Sequence, residues 1–417
     1  MKSQPLNNRQ DPWKNYGSTP LVSDSVEVED RDYVLRDHKD HKGSNWSAYI
    51  NIVCVVAGSG TLGIPYAIQQ GGWITILLLI LSATMNIYAN IKLIECLYKN
   101  NETRRISMSQ VANDAFGKIG LGFVAFFFNS LSIGCPILYL ILSGENFQIL
   151  FKDNLGIDLG METWVVICGS IMCIPFVLLK SMKETSWLSV LGALTTGMVV
   201  FVVLFTSLAD LPNNRDNEHQ LINLKNMPIA LATVFFSYGG NIVYPHIEAS
   251  MEHPKEWPKV FSLATATITI FYLLIGVSAY LTYGVTTLSP IYKSLPPGLA
   301  LSTTIIMISI HILLALPIYQ TAFALEIEDY LSINITTLAI AIPYFANVMA
   351  LLGALGNGVL LIVMPILIWI KLFGWNSLNG WKEKSWVIFV LMFAIFGAIV
   401  GTIEAISALY SDMTNKG

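Results

Sequence analysis

Charge is what this sequence has least of. Only 12% of its 417 residues are Asp, Glu, Lys or Arg, against roughly a quarter in soluble domains. With 54% of the residues hydrophobic, there is too little polar material to cover a water-soluble surface. The charge that exists clusters in the first 45 residues, in runs such as RQDPWK and VEVEDRDYVLRDHKDHK, and long apolar stretches follow. Composition therefore places the chain in the membrane class.

Other shortages exclude other classes. A net charge of −4 is shared among short loops, so no basic field exists to hold a nucleic acid. The five cysteines, Cys54, Cys96, Cys135, Cys168 and Cys173, lie in or at the ends of apolar runs. None makes a CxxC or Cys/His ligand spacing, which argues against a disulfide framework or a zinc site. No metal ion and no cofactor is expected. The polar, acidic start lacks the basic and then apolar character of a cleaved signal peptide. Enzyme signatures such as HExxH, GxSxG or paired carboxylates at a membrane face are missing too.

What is present is a series of apolar runs. A helix that crosses about 30 Å of hydrocarbon needs about 20 mostly apolar residues. Eleven spans are expected, at 47–69, 73–97, 121–150, 162–179, 187–208, 227–248, 260–281, 299–325, 331–344, 346–372 and 386–409. Residues 1–44 read as a disordered cytosolic tail, residues 45–410 as the transmembrane domain, and residues 411–417 as a short C-terminal tail. With the N-terminus in the cytosol, 19 of the 24 Lys and Arg fall on the cytosolic side, the side that retains them. This orientation leaves the sequons at Asn45, Asn101 and Asn334 unglycosylated. Between spans 2 and 3, Ser107-Met-Ser-Gln110 has a capping-box pattern and Gly117 a helix-stop, which predicts a short surface helix.

Span 1 contains Ala57-Gly58-Ser59-Gly60-Thr61-Leu62-Gly63-Ile64-Pro65-Tyr66, and three glycines with a proline are poor material for a regular helix. In hydrocarbon, freed backbone groups are tolerable where they face a cavity or a ligand. Span 6 repeats the feature in Phe236-Ser237-Tyr238-Gly239-Gly240-Asn241 with Pro245 beyond. Paired interruptions five spans apart point to an inverted-repeat transporter, spans 1–5 mirrored by 6–10, with span 11 outside the repeat. Free amides at half-helix N-termini suit a carboxylate and free carbonyls suit an ammonium. A zwitterionic amino acid fits both. The competing reading is that the glycines let helices pack closely, and the two can coexist.

The segments GSGTLGIPYAIQQGGW, IECLYKN, ILYLILSGENFQIL and FSYGGNIVYPHIEASMEHP, in that order, resemble the amino acid/auxin permease family over residues 45–410. Within that family the chain looks most like the vesicular inhibitory amino acid transporter and the fungal vacuolar neutral amino acid transporters. The resemblance implies an all-α LeuT-type fold, with substrate held between helices 1, 3, 6 and 8 and moved by alternating access. Carried over by position, Ala57, Gly58, Ser59, Gly60 and Thr61 would meet the carboxylate. Phe236, Ser237, Tyr238 and Gly239 would supply carbonyls and a wall, and Tyr139 would be a gate.

One departure from the family bears on energy coupling. Sodium-coupled members carry an asparagine four residues before the first glycine of the block, where this chain has Cys54, and a thiol is a poor ligand for a hard cation. Protons are the expected coupling ion. Ionisable residues within spans are expensive and mark functional candidates; here they are Glu145, His246, Glu248, His311, Glu326 and Glu404, with His311 and Glu248 as the coupling candidates. The expected partners are a neutral amino acid, protons and the lipid bilayer of a vacuole, lysosome or vesicle. A plasma-membrane permease of the same fold and an amino acid sensor are the alternatives.

Overall fold

The computed structural model describes residues 43–99, 104–178, 185–327 and 345–414. Apart from isolated bridge residues, including the pair Gly43 and Met251, every regular element among them is helical. Span 1 is two helices, α1 (Asn45–Val56) and α2 (Gly60–Gly71), bent by 53° where they meet. Ser44 starts α1, its hydroxyl accepting the Ser47 amide at 3.2 Å. The break occupies residues 57–59, so only part of the glycine-proline block makes it. Gly63 and Pro65 sit inside α2; Pro65 is its sixth residue and lacks the amide hydrogen that would reach back to the Thr61 carbonyl.

α3 (Ile74–Leu97) follows a tight turn at Gly72, with φ of +80°. α4 (Met108–Leu155) is one long element kinked at Gly117, with φ of +65°, so the surface helix runs into the third span through a glycine corner. The Ser107 hydroxyl caps it by accepting the Gln110 amide at 3.5 Å, while the Gln110 side chain reaches back to the Ile106 amide at 2.9 Å. α5 (Met161–Leu178) and α6 (Thr185–Asp210) complete the first half.

Span 6 is broken as well, into α7 (Met227–Ser237) and the short α8 (Tyr244–Ala249). After them come α9 (Trp257–Tyr283), α10 (Leu299–Ile327), and a tenth span built from α11 (Phe345–Leu351), a π-helical stretch Leu352–Val363 and α12 (Met364–Phe373). The last span, α13 (Gly380–Thr414), continues past the end expected at residue 409. The ninth span, at 331–344, and the N-terminal tail lie outside the described residues, apart from the tail's last two, Gly43 and Ser44. Among the described residues, six helices are long and apolar enough to cross a membrane, seven with the bent α1–α2 pair.

The surface confirms the environment. Along α13, Ile388, Met392, Ile395, Ile399, Ile403 and Ile406 are all exposed at helical spacing, an apolar stripe far beyond what a soluble surface carries. The chain is a multi-pass integral membrane protein.

Two opposite ends of the bundle are closed by different contacts. At one end Gly43 pairs with Ser250 and Glu252 through backbone hydrogen bonds of 2.7 and 2.8 Å, beside Arg104 and Glu248. At the other, the segment 218–223 covers the α2–α3 turn and the end of α9, with Trp73 and Ile74 donating to Gln220 and Leu221 at 3.1 Å and Val285 to Glu218 at 3.0 Å. α3, which runs between these ends, is 24 residues long, about 36 Å at 1.5 Å per residue.

Candidate functional site

The two breaks face one another. A Cβ on Gly60 would come 2.8 Å from the Cα of Ser237, so backbone meets backbone where α2 passes α7. The Ser237 hydroxyl lies 3.2 Å from the Gly60 carbonyl and donates to that of Thr233 at 2.8 Å. Gly63 serves packing alone, for a Cβ there would press on Met349 and on Thr233. Gly60 and Gly63 thus do the close packing that was the competing reading of the glycines.

A cavity opens beside this contact. It is lined by Gly58, Ser59 and Gly60 from the first break, Phe236, Gly239 and Gly240 from the second, Leu131, Cys135 and Tyr139 from α4, and Asn357 from the π-helical stretch. Its water-sized free volume is about 30 Å³, room for about two waters. None of the described residues that line it is charged. The amides of Gly58 and Ser59 have no protein acceptor among the described residues, and they are the groups suited to an incoming carboxylate.

Of the sequence-singled residues, Gly58, Ser59, Gly60, Tyr139, Phe236 and Gly239 line the cavity. Ala57, Thr61, Ser237 and Tyr238 are buried beside it without lining it. Tyr238 turns away, its hydroxyl reaching the Leu79 carbonyl at 3.3 Å and Thr269 at 2.9 Å. Several carbonyls of the second break already accept protein donors. Phe236 accepts from the Gly239 amide at 2.9 Å and the Asn357 side chain at 3.3 Å, Tyr238 from the Tyr244 hydroxyl at 3.2 Å, and Ser237 from the Tyr272 hydroxyl.

The two coupling candidates sit in different surroundings. His311 of α10 is fully buried at the first break, its Nε2 2.9 Å from where a Gly58 Cβ would be. Its Nδ1 lies 3.0 Å from the Gly192 carbonyl and 2.9 Å from the Thr196 hydroxyl of α6. A carbonyl can only accept, so Nδ1 carries the hydrogen and Nε2 is left with a lone pair and no protein partner among the described residues. Cys54 faces the same Gly192, whose Cβ would come 2.6 Å from its sulfur. The two clues to coupling read from the sequence thus meet at one place, where α1, α6 and α10 join. Glu248 is outside the cavity and fully buried in an ion pair with Arg104, whose Nε lies at 3.0 Å, and it accepts from the Tyr98 hydroxyl at 2.8 Å. Arg104 also donates to the Pro245 carbonyl at 2.7 Å.

The remaining intramembrane acids and histidine are dispersed. Glu145 pairs with Lys293 at 3.0 Å. His246 lines a second, smaller cavity that shares Ile242 with the first and leads toward Ser107. Glu404 is half-buried on α13, and the side chain of Glu326 lies outside the described ones.

Sequence reading missed Tyr272 and Asn357. The Tyr272 hydroxyl on α9 lies within hydrogen-bond reach of the carbonyls of both Val56, at 3.0 Å, and Ser237, the last residues of α1 and α7. One phenolic hydrogen therefore serves the ends of both broken helices. A signal for Asn357 was available in Gly353-Ala-Leu-Gly-Asn-Gly358, a polar residue among three glycines in an apolar span.

Two helices broken at facing points around an uncharged cavity define a secondary transporter of the LeuT-type fold. The solved structure of a Na+-coupled sialic acid symporter, in a substrate-bound outward-open state, superposes with a TM-score of 0.50 at 16% identity, over 88% of this chain and 91% of that one. Sequence narrows the class: the family profile "Transmembrane amino acid transporter protein" matches residues 41–334, and the chain belongs to that family. Among its relatives are amino acid transporters AVT1H and AVT1J of Arabidopsis thaliana. The first is 25% identical over 87% of this chain and 89% of its own length. The second is 24% identical over 95% and 98%. The vesicular inhibitory amino acid transporter of Xenopus tropicalis is 25% identical over 90% of this chain and 79% of its own. These relatives and the fold neighbour are transporters, not enzymes.

Proposed function

We propose that this chain is a proton-coupled carrier of neutral amino acids that works by alternating access in a vacuolar or vesicular membrane, with its N-terminus in the cytosol. The observation that carries the reading is the uncharged cavity between the two breaks, with the free amides of Gly58 and Ser59 at one wall. A zwitterion brings its own two charges and needs only backbone dipoles to hold them. A cationic or anionic side chain would stay uncompensated in a low dielectric. With room for about two waters, the cavity must widen to admit an amino acid, and hinged broken helices allow that.

Protons are favoured by the His311 lone pair beside Gly58 and by a thiol at Cys54 where a hard cation would need oxygen. The membrane and the orientation rest on the vesicular relative and on the basic residues gathered at the Gly43 and Arg104 end. The test is purified protein in liposomes. Neutral amino acids should exchange by counterflow, Lys and Glu should not, and an imposed pH gradient without sodium should drive accumulation. Exchange restricted to charged amino acids, or a strict sodium requirement, would overturn the reading.

A further inference from the structure

We infer that Asn357 selects the substrate side chain, and that the preferred substrates are neutral amino acids whose side chains form hydrogen bonds, carboxamides above all. The inference rests on the proposed transport of neutral amino acids and adds the basis of choice among them.

The free amides of Gly58 and Ser59 mark the end of the cavity that takes the carboxylate. The other lining side chains include Leu131, Cys135, Phe236 and Ile242, all apolar or weakly polar, and the phenol of Tyr139, with Asn357 the one carboxamide among them. A purely aliphatic pocket would serve leucine or isoleucine with no buried amide in it, and an amide placed there without a partner is a penalty. Asn357 is 5% exposed. One of its N–H groups is engaged by the Phe236 carbonyl at 3.3 Å. Its carbonyl oxygen and second N–H have no protein partner among the described residues, and the residue lines the free volume. An acceptor and a donor side by side on one amide match the donor and acceptor of a second amide, which can satisfy both at once.

Backbone geometry supports a functional placement. Asn357 lies within the π-helical stretch Leu352–Val363, and widened turns of this kind occur disproportionately at functional sites. The bond to Phe236 fixes the amide against the second break, where a Cβ on Gly239 would collide with it. The side chain is therefore oriented before substrate arrives.

A site that hydrogen-bonds its substrate discriminates against analogues that cannot reciprocate, because its own polar groups are then left unpaired. The experiment compares glutamine with methionine, similar in length and without the amide, in counterflow with the full-length protein in liposomes. Wild type should show a KM for glutamine at least about tenfold below that for methionine. Asn357→Leu should reverse or erase that ratio by raising the glutamine KM relative to that for methionine, an outcome a merely structural role, which shifts both substrates together, would not give. Asn357→Ser, smaller and still hydrogen-bonding, should give an intermediate ratio and carries the test if the leucine variant fails to insert. A wild-type preference for methionine, or ratios unchanged in the inserted variants, would overturn the assignment while leaving amino acid transport intact. Absence of exchange for every neutral amino acid would remove the underlying reading as well.

Discussion

Gly60 and Ser237 bring the two broken helices together backbone to backbone, with 2.8 Å between the Ser237 Cα and the place a Gly60 Cβ would occupy. Any side chain at Gly60 must push α2 away from α7, and overpacking of this kind costs about 1–3 kcal/mol. The partner helix by itself requires the glycine. Gly60→Ala should lower exchange at least tenfold and Gly60→Val should abolish it, with both proteins still inserted and monodisperse by size-exclusion chromatography. Wild-type exchange by the valine variant would show that the breaks need not touch.

Tyr272 ties the same two helices from the side. Its single hydroxyl hydrogen is shared between the Val56 and Ser237 carbonyls, so movement of α1 relative to α7 changes which carbonyl holds it. Tyr272→Phe keeps the ring and leaves buried carbonyls short of a donor, a loss of about 1–3 kcal/mol. The expected result is an inserted protein with exchange slowed several-fold. Unchanged exchange rates would reduce Tyr272 to a packing residue.

The breaks were legible in sequence because glycine and proline act locally, and the same residue names recur five spans apart. Their details were not. Gly63 and Pro65 look like part of the interruption but lie inside α2, where Gly63 is needed to pass Met349 and Thr233, a matter of tertiary contact. Tyr272 and Asn357 escaped for the same reason, since each acts on a break that lies far from it along the chain. Arg104 and Glu248 are 144 residues apart, and nothing local in either predicts the pairing. Cys54 and His311 were each noted for separate reasons, and only the fold sets them against one glycine.

The Arg104–Glu248 pair is buried to 3% and 0% exposure and holds the residues after α3 to α8. Removing one member of a buried pair leaves an uncompensated charge, at about 3–5 kcal/mol, whereas apolar replacement of both is often tolerated. Arg104→Leu should therefore reduce thermal stability more than the double variant Arg104→Leu/Glu248→Leu. A double variant whose loss equals the sum of the losses in Arg104→Leu and Glu248→Leu would mean that the two side chains act independently.

Orientation can be tested apart from transport. The described cysteines Cys54, Cys96, Cys135 and Cys168 are buried, so labelling from them should be slow. Single cysteines placed in residues 211–226, the segment that covers the α2–α3 turn, should react with a membrane-impermeant maleimide from the lumenal or extracellular side and be protected from the cytosolic side. The reverse pattern would invert the proposed topology.

Energy coupling is the sharpest test of the α1–α6–α10 junction. The groups facing the His311 ring are the Gly192 carbonyl and Thr196 hydroxyl at Nδ1, with Gly58, Cys54 and Tyr139 close by; none of these residues is a carboxylic acid or a base, and the thiol and phenol are their only titratable groups. A proton taken at Nε2 would therefore place a new positive charge directly beside the first break, with no counter-charge beside it among the described residues. Imidazole is the side chain whose charge changes near neutral pH, between a cytosol and an acidic lumen. His311→Gln keeps a hydrogen-bonding side chain of similar reach but cannot titrate. Counterflow exchange needs only the cavity and the alternating motion, so it should survive largely intact. Accumulation driven by a pH gradient in sodium-free liposomes needs the proton to be carried, so it should fall by at least about tenfold. Equal loss of both activities would make His311 a structural residue of the junction. Full pH-driven accumulation in the glutamine variant would move the coupling proton elsewhere, and the buried pairing of Glu248 with Arg104 makes that carboxylate the poorer substitute, because its charge is already compensated.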